Sequence, residues 1–163
     1  MSKSKIIILN GTSSAGKTSI AKQLQKQMHD CYLHFQMDAF WDMVPEHIEA
    51  NSDNFPHLKE AIIESAYALA QKGHNLIIDI VFMPEQLKSL KEKLKECETL
   101  TFAITASLEV IEQREQQRPD RNNGLARSQY NEIHQGTDYD LIIDTTHNQF
   151  TLCTDKIINH VNS

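Results

Sequence analysis

The chain has 163 residues, 40% of them hydrophobic and 23% charged, with a formal net charge of −6. That length suits one domain with a substantial core. No apolar run approaches a membrane span, and an acidic balance with only one local arginine cluster argues against a nucleic-acid-binding face. The cysteines Cys31, Cys97 and Cys153 are scattered with no C-x-x-C pair, which fits a reducing cytoplasm better than a disulfide framework or a zinc site. Met1 to Lys5 lead straight into an apolar run. A cytoplasmic protein without a cleaved signal peptide is therefore expected.

The first predicted element is a strand, Ile6-Ile7-Ile8-Leu9, whose unbroken apolar character marks burial on both faces. It runs through Asn10 into Gly11-Thr12-Ser13-Ser14-Ala15-Gly16-Lys17-Thr18, which fits G-x-x-x-x-G-K-[ST] at every fixed position. A helix follows, with Ile20, Leu24 and Met28 on one stripe, ending near His29-Asp30. Strand, glycine loop, helix is the context that gives this motif its meaning. Gly11 and Gly16 let the backbone wrap a phosphate chain, and the helix N-terminus adds positive potential. Lys17 would neutralise the terminal phosphates, and the Thr18 hydroxyl would ligate Mg²⁺. The loop thus points to a bound nucleoside triphosphate.

Cys31 to Gln36 reads as a second strand closing on Met37-Asp38, and residues 42–56, with Pro45 and Pro56, are the least regular stretch. A helix with Leu58, Ile62, Ala66 and Leu69 on helical spacing comes next, with Gly73 placed to stop it. Leu76 to Phe82 is a third strand, and Pro84 suits the first turn of a helix carrying Leu87, Leu90 and Leu94. Leu100 to Ala106 gives a fourth strand, and a helix from about Leu108 runs until Pro119 stops it. A short helix from about Leu125, a fifth strand at Leu141-Ile142-Ile143 and a last helix with Ile157, Ile158 and Val161 complete the chain. Continuous apolar strands alternating with helices imply an α/β fold: a five-stranded parallel sheet with helices on both faces. No linker or repeat divides residues 1–163, so a single domain is expected.

Such sheets bind ligands at the carboxyl ends of their strands, and the chemically informative residues follow strands. Asp38 could take the proton from an attacking hydroxyl, or it could cap the helix begun by Ala39-Phe40-Trp41. Asp79, after Leu76-Ile77-Ile78, has the pattern that holds Mg²⁺ or its water in phosphate-loop enzymes, or that touches substrate; should the strand continue through Val81, Asp79 is mid-strand and its buried charge needs a partner. Arg114, Arg118, Arg121 and Arg127 cluster around a Pro/Asn/Gly-rich turn. Like charges at 114 and 118 repel on an isolated helix, an effect that Glu115 could offset by pairing with Arg118. An anion ligand explains them more economically, as a lid at about 114–127 closing on the triphosphate, and a solvated charged face is the plainer alternative. Asp144-Thr145-Thr146-His147 could contact a nucleotide base or cap the last helix. Phe40, Trp41, Met43, Phe55, Phe82 and Met83 could line an acceptor pocket or belong to the core.

Several stretches together resemble the chloramphenicol phosphotransferase-like family of P-loop small-molecule kinases. They are Ile7 through Thr18, Phe35-Gln36-Met37-Asp38, Ile77-Ile78-Asp79-Ile80-Val81-Phe82, the Arg114/Arg118/Arg121 segment, and His134-Gln135-Gly136-Thr137-Asp138-Tyr139-Asp140 running on to Asp144-Thr145-Thr146-His147. The resemblance implies a three-layer, nucleoside-kinase-like fold and ATP-dependent phosphorylation of a small-molecule hydroxyl, with Asp38 as the base. On this reading Lys17, Arg118 and Arg121 join Asp38 in catalysis, residues 11–18 and Arg114 hold ATP, and Thr18 and Asp79 hold Mg²⁺. Two departures fall on the acceptor side. Asp79-Ile80 stands where the family has two acidic residues, and the segment from Asp38 to Leu58 is shorter. The acceptor therefore stays open between a chloramphenicol-like alcohol, a nucleoside or nucleotide, and a nucleotide-sugar as in zeta-toxin-like kinases. A different class of reading is a non-catalytic ATP- or GTP-binding regulatory module.

Overall fold

A computed structural model describes residues 3–119 and 123–163. Its centre is a five-stranded, all-parallel sheet in the order β2-β3-β1-β4-β5. The strands are β1 (Lys5–Asn10), β2 (Tyr32–Gln36), β3 (Asn75–Ile80), β4 (Glu98–Thr105) and β5 (Leu141–Asp144). Between and after them run α1 (Lys17–Gln27), α2 (Asp38–Trp41), α3 (Leu58–Gln71), α4 (Pro84–Lys93), α5 (Leu108–Gln116), α6 (Leu125–Tyr130) and α7 (Phe150–Val161).

The period of two along each strand explains the layering. Ile6 and Ile8 of β1, with Leu76, Ile78 and Ile80 of β3, pack against Ile62, Ile63 and Ala66 of α3 and Leu87 and Leu90 of α4. Ile7 and Leu9, with Ile77, Phe102 and Ile104, face Ile20, Ala21 and Leu24 of α1 and Cys153 and Ile157 of α7. Both faces of β1 are thus sealed, which is why its sequence is apolar without alternation. No described helix is long and apolar enough to cross a membrane.

Several boundaries differ from the sequence-based expectation for identifiable reasons. β3 leaves the sheet at Ile80 rather than Phe82. The Asn10 side chain takes the backbone of Phe82 on both sides, accepting from its N–H at 2.8 Å and donating to its carbonyl at 2.9 Å. A buried carboxamide has there replaced a strand partner. α5 ends at Gln116, before Pro119 itself; the proline disfavours the α region at Arg118, directly before it, so the helix has no room to continue. Gly73 does stop α3: at φ +85° its N–H bonds Ala70 and that of His74 bonds Leu69, the pairing of a Schellman turn. Residues 43–57 hold turns, bends and irregular chain, with no helix or strand.

Among the glycines, Gly11 makes the tightest approach to its surroundings. A Cβ built there would lie 2.1 Å from the Ile104 carbonyl oxygen of β4, a backbone atom that cannot step aside. Gly11→Ala should therefore cost about 1–3 kcal/mol, the range for overpacking. Urea unfolding measures this, and an alanine variant as stable as the parent would show that the loop can shift without cost.

Candidate phosphate-binding and acceptor site

The loop between β1 and α1 lies at the carboxyl edge of the sheet, where β1 separates β3 from β4. The unusual backbone angles sit where the motif needs them: Ser14 has φ +64° and Gly16 φ +97°. A side chain at Gly16 would also meet the Phe150 ring at 2.6 Å. This path leaves the hydroxyls of Thr12, Ser13 and Ser14 buried with no hydrogen-bond partner among the described residues. Buried polar atoms without partners are costly, and a loop lined with them is suited to a ligand rich in oxygen. Lys17 is buried and donates to the carbonyls of Gly11 at 3.0 Å and Thr12 at 2.7 Å.

The strands beside β1 bring the acidic residues in. Register places Asp79 level with Leu9 and Gln36, one residue before β3 ends. Its carboxylate accepts from the Thr18 hydroxyl at 2.7 Å and lies 3.2 Å from His34 Nε2 on β2. Burial pushes the Asp79 pKa up, but the His34 bond, the Lys17 charge and the Thr18 bond together outweigh it and hold the carboxyl below its ordinary value. Among the described residues no group of three or more His, Cys, Asp or Glu could hold a metal ion. Thr18 and Asp79 offer two hard oxygen donors side by side, the donor type that could contribute to holding a magnesium ion.

Asp38 is the first residue of α2, and the cap position belongs to Met37, so the capping expectation for Asp38 does not hold. Asp38 lines the phosphate cleft together with Lys17, Thr18, Asp79 and Arg118. It also lines a neighbouring cavity of about 480 Å³ with Trp41, Asp42, Asn51, Lys59 and Gln129. Of the six apolar residues considered for an acceptor pocket, Trp41 alone lines this cavity, whereas Phe82 is wholly buried in the core. A larger cavity of about 730 Å³ opens at the opposite edge of the sheet beside Lys5, Tyr32 and Ile158, away from the phosphate loop.

The arginines separate. Arg114 donates to the Ser14 carbonyl at 3.3 Å, the Thr145 hydroxyl at 3.0 Å, the Thr145 carbonyl at 2.6 Å and Asn148 Oδ1 at 2.6 Å, with the Phe150 ring beside it. Arg118 reaches the cleft. Arg127 instead pairs with Glu112 at the exposed surface. Arg121 lies outside the described residues. Glu115 does not offset Arg118. It is buried, and its carboxylate accepts from the N–H groups of Gly124 at 2.8 Å and Ala126 at 3.0 Å, capping α6.

The segment 144–147 does not cap α7 either, because Gln149 occupies that position without a side-chain bond. Asp144 instead accepts from Thr146, and the Thr145 hydroxyl donates to the Ala15 carbonyl at 2.6 Å, pinning the phosphate loop. Sequence reasoning missed His34, Gln129 and the bracing role of Thr145. A polar His34 between Leu33 and Phe35 on a strand was a visible signal; a lone glutamine on a short helix was not.

The lowered Asp79 pKa has a consequence for stability. Its stabilising contribution is fully present above the unfolded-chain value near 3.8 and is lost as pH falls through the lower folded value. Asp79→Asn should cost about 1–3 kcal/mol at pH 7, with the gap to the parent narrowing on acidification. Urea midpoints measured from pH 7 downward test this, and a gap independent of pH would contradict it.

Comparison with known proteins places this geometry. A protein of Mycobacterium tuberculosis that carries the provisional name O-phosphotransferase is 28% identical over 173 residues, covering 90% of this chain and 77% of the relative. Among solved structures, the APS kinase of Mycobacterium tuberculosis in complex with AMPPNP and APS is similar with a TM-score of 0.75 at 14% identity, covering 100% of both chains. A gluconokinase from Sinorhizobium meliloti gives a TM-score of 0.73 at 15% identity, covering 99% of this chain and 94% of that one. The Deinococcus radiodurans tunicamycin resistance protein gives 0.70 at 19% identity, covering 97% and 95%. At such identities the structural likeness is one of fold, that of P-loop kinases. The family model described as chloramphenicol phosphotransferase-like protein matches residues 4–162, and the chain belongs to that family.

Proposed function

We propose that the protein transfers the γ-phosphate of ATP to a hydroxyl group of a small molecule. The observation that carries this reading is the position of Asp38, which lines both the phosphate cleft and the 480 Å³ cavity. A carboxylate at that junction can reach an acceptor hydroxyl on one side while the γ-phosphate lies on the other. It takes the hydroxyl proton as the acceptor oxygen forms its bond to phosphorus and the bond to the β–γ bridging oxygen breaks, releasing ADP. Lys17 and Arg118, with Arg121 from the sequence motif, counter the charge on the transferring group. Arg114 holds the loop through Ser14 and supports the nucleotide from beside residues 145–148. Thr18 and Asp79 would hold Mg²⁺, which when bound neutralises phosphate charge. Little covalent chemistry is asked of the chain, since positioning and electrostatics supply most of the rate in such reactions.

The cavity beside Asp38 supports an acceptor with its own polar groups. Trp41 offers an aromatic face, while Asn51, Ser52 and Gln129 offer hydrogen-bonding groups. ADP release from Mg-ATP, measured with chloramphenicol and relatives, nucleosides, aminoglycosides, nucleotide-sugars and gluconate, tests the reading. A compound-dependent rise that disappears in Lys17→Ala, with a phosphorylated product by mass, is the expected result. Asp38→Asn should keep nucleotide binding and lower kcat by about 10²–10⁴-fold, the usual worth of a general base. Wild-type turnover in that variant would remove Asp38 from the mechanism.

A further inference from the structure

α6 carries a contact that neither the loop motif nor the family resemblance called for. The backbone N–H of Ser13 donates to Gln129 Oε1 at 3.2 Å. Ser13 belongs to the stretch whose N–H groups cradle phosphate oxygens, so a neutral carboxamide oxygen stands at a donor of the kind a phosphate oxygen uses. Gln129 also lines the cavity that contains Asp38 and Trp41. Its helix is firmly seated: Glu115 caps its first turn, and the Tyr130 hydroxyl donates to the Ala106 carbonyl at 3.2 Å. Any exchange at Ser13 is therefore a rotation of the Gln129 side chain and not a swing of the helix.

We propose that Gln129 is a positioning residue that holds the Ser13 amide in place of a phosphate oxygen, and that triphosphate binding displaces its carboxamide toward the acceptor cavity. The proposal rests on the phosphoryl-transfer reading above. A charged phosphate oxygen makes the stronger hydrogen bond, so the exchange runs toward bound nucleotide. The displaced carboxamide, with an oxygen acceptor and an N–H₂ donor, then stands beside Asp38, where an acceptor hydroxyl would bind. Loading of the loop is in this way coupled to completion of the acceptor cavity, and nucleotide is expected to bind before acceptor.

The two obvious variants should move nucleotide affinity in opposite directions. Gln129→Ala removes the competitor and should tighten binding of AMPPNP by about threefold to tenfold, the worth of one neutral hydrogen bond. Gln129→Glu leaves a carboxylate that holds Ser13 more firmly and repels phosphate, and should weaken AMPPNP binding by at least as much. Calorimetric titration with Mg-AMPPNP reads both, and a helix that merely needed Gln129 for packing would lose affinity in both variants. In wild-type protein labelled with ¹⁵N, the Gln129 side-chain N–H₂ signal, assigned by its loss in Gln129→Ala, should shift when AMPPNP is added. Unchanged or weaker binding by Gln129→Ala, or an unmoved side-chain signal at saturation, overturns the proposal while leaving the phosphotransferase reading intact. Failure of the wild-type protein itself to bind Mg-AMPPNP would overturn both, and it is seen before any variant is compared.

Discussion

Everything at the carboxyl edge of the sheet depends on how closely the backbone at Gly11 approaches the Ile104 carbonyl of β4. Only a residue without a Cβ fits there. That contact lets the chain leave β1 sideways, between the ends of β3 and β4, and curl over its own strand before α1 begins. The curl leaves the Thr12, Ser13 and Ser14 hydroxyls buried. A loop whose hydroxyls lack protein partners among the described residues is suited to receive oxygen atoms. Its shape must then be held from outside.

Neighbouring segments supply that support at consecutive residues. Gln129 meets the N–H of Ser13, Arg114 meets the carbonyl of Ser14, and Thr145 meets the carbonyl of Ala15. The first two belong to α5 and α6, which Glu115 joins by capping one from the other. Arg114 and Glu115 are adjacent in sequence and do opposite jobs: the first grips the loop, the second fixes the helix that carries Gln129. The buried Glu115 carboxylate thus finds its hydrogen bonds on the backbone, at the N–H groups of Gly124 and Ala126.

On the other side of β1, Asp79 gathers Thr18 from α1, His34 from β2 and the charge of Lys17 around one carboxylate. The parallel register makes this possible, since it brings the last residues of β1, β2 and β3 level. Asp38 follows β2 directly and so reaches the same edge. The cavity that it shares with Trp41 and Gln129 is bordered by Asp42 and by residues 49–52 of the irregular stretch, where chain length and composition are least constrained by the sheet.

The sequence alone determined the sheet, its helices and the phosphate loop. Apolar runs at β1, β3 and β4, helical spacing in α3, and a loop motif joining strand to helix are local patterns whose physics lies within a few residues. It also placed Asp38 directly after a strand, where parallel sheets bind ligands, whereas Asp79 came to a strand end only when the structure closed β3 at Ile80 instead of Phe82. Only the tertiary structure decided which polar groups meet. Glu115 turned from Arg118 to the α6 backbone, Thr145 to Ala15, Arg127 to Glu112, and Gln129 to Ser13, over separations of up to 130 residues. Side-chain hydrogen bonds of that kind leave no periodic trace in a chain, because each depends on where the folded backbone brings two groups within about 3 Å.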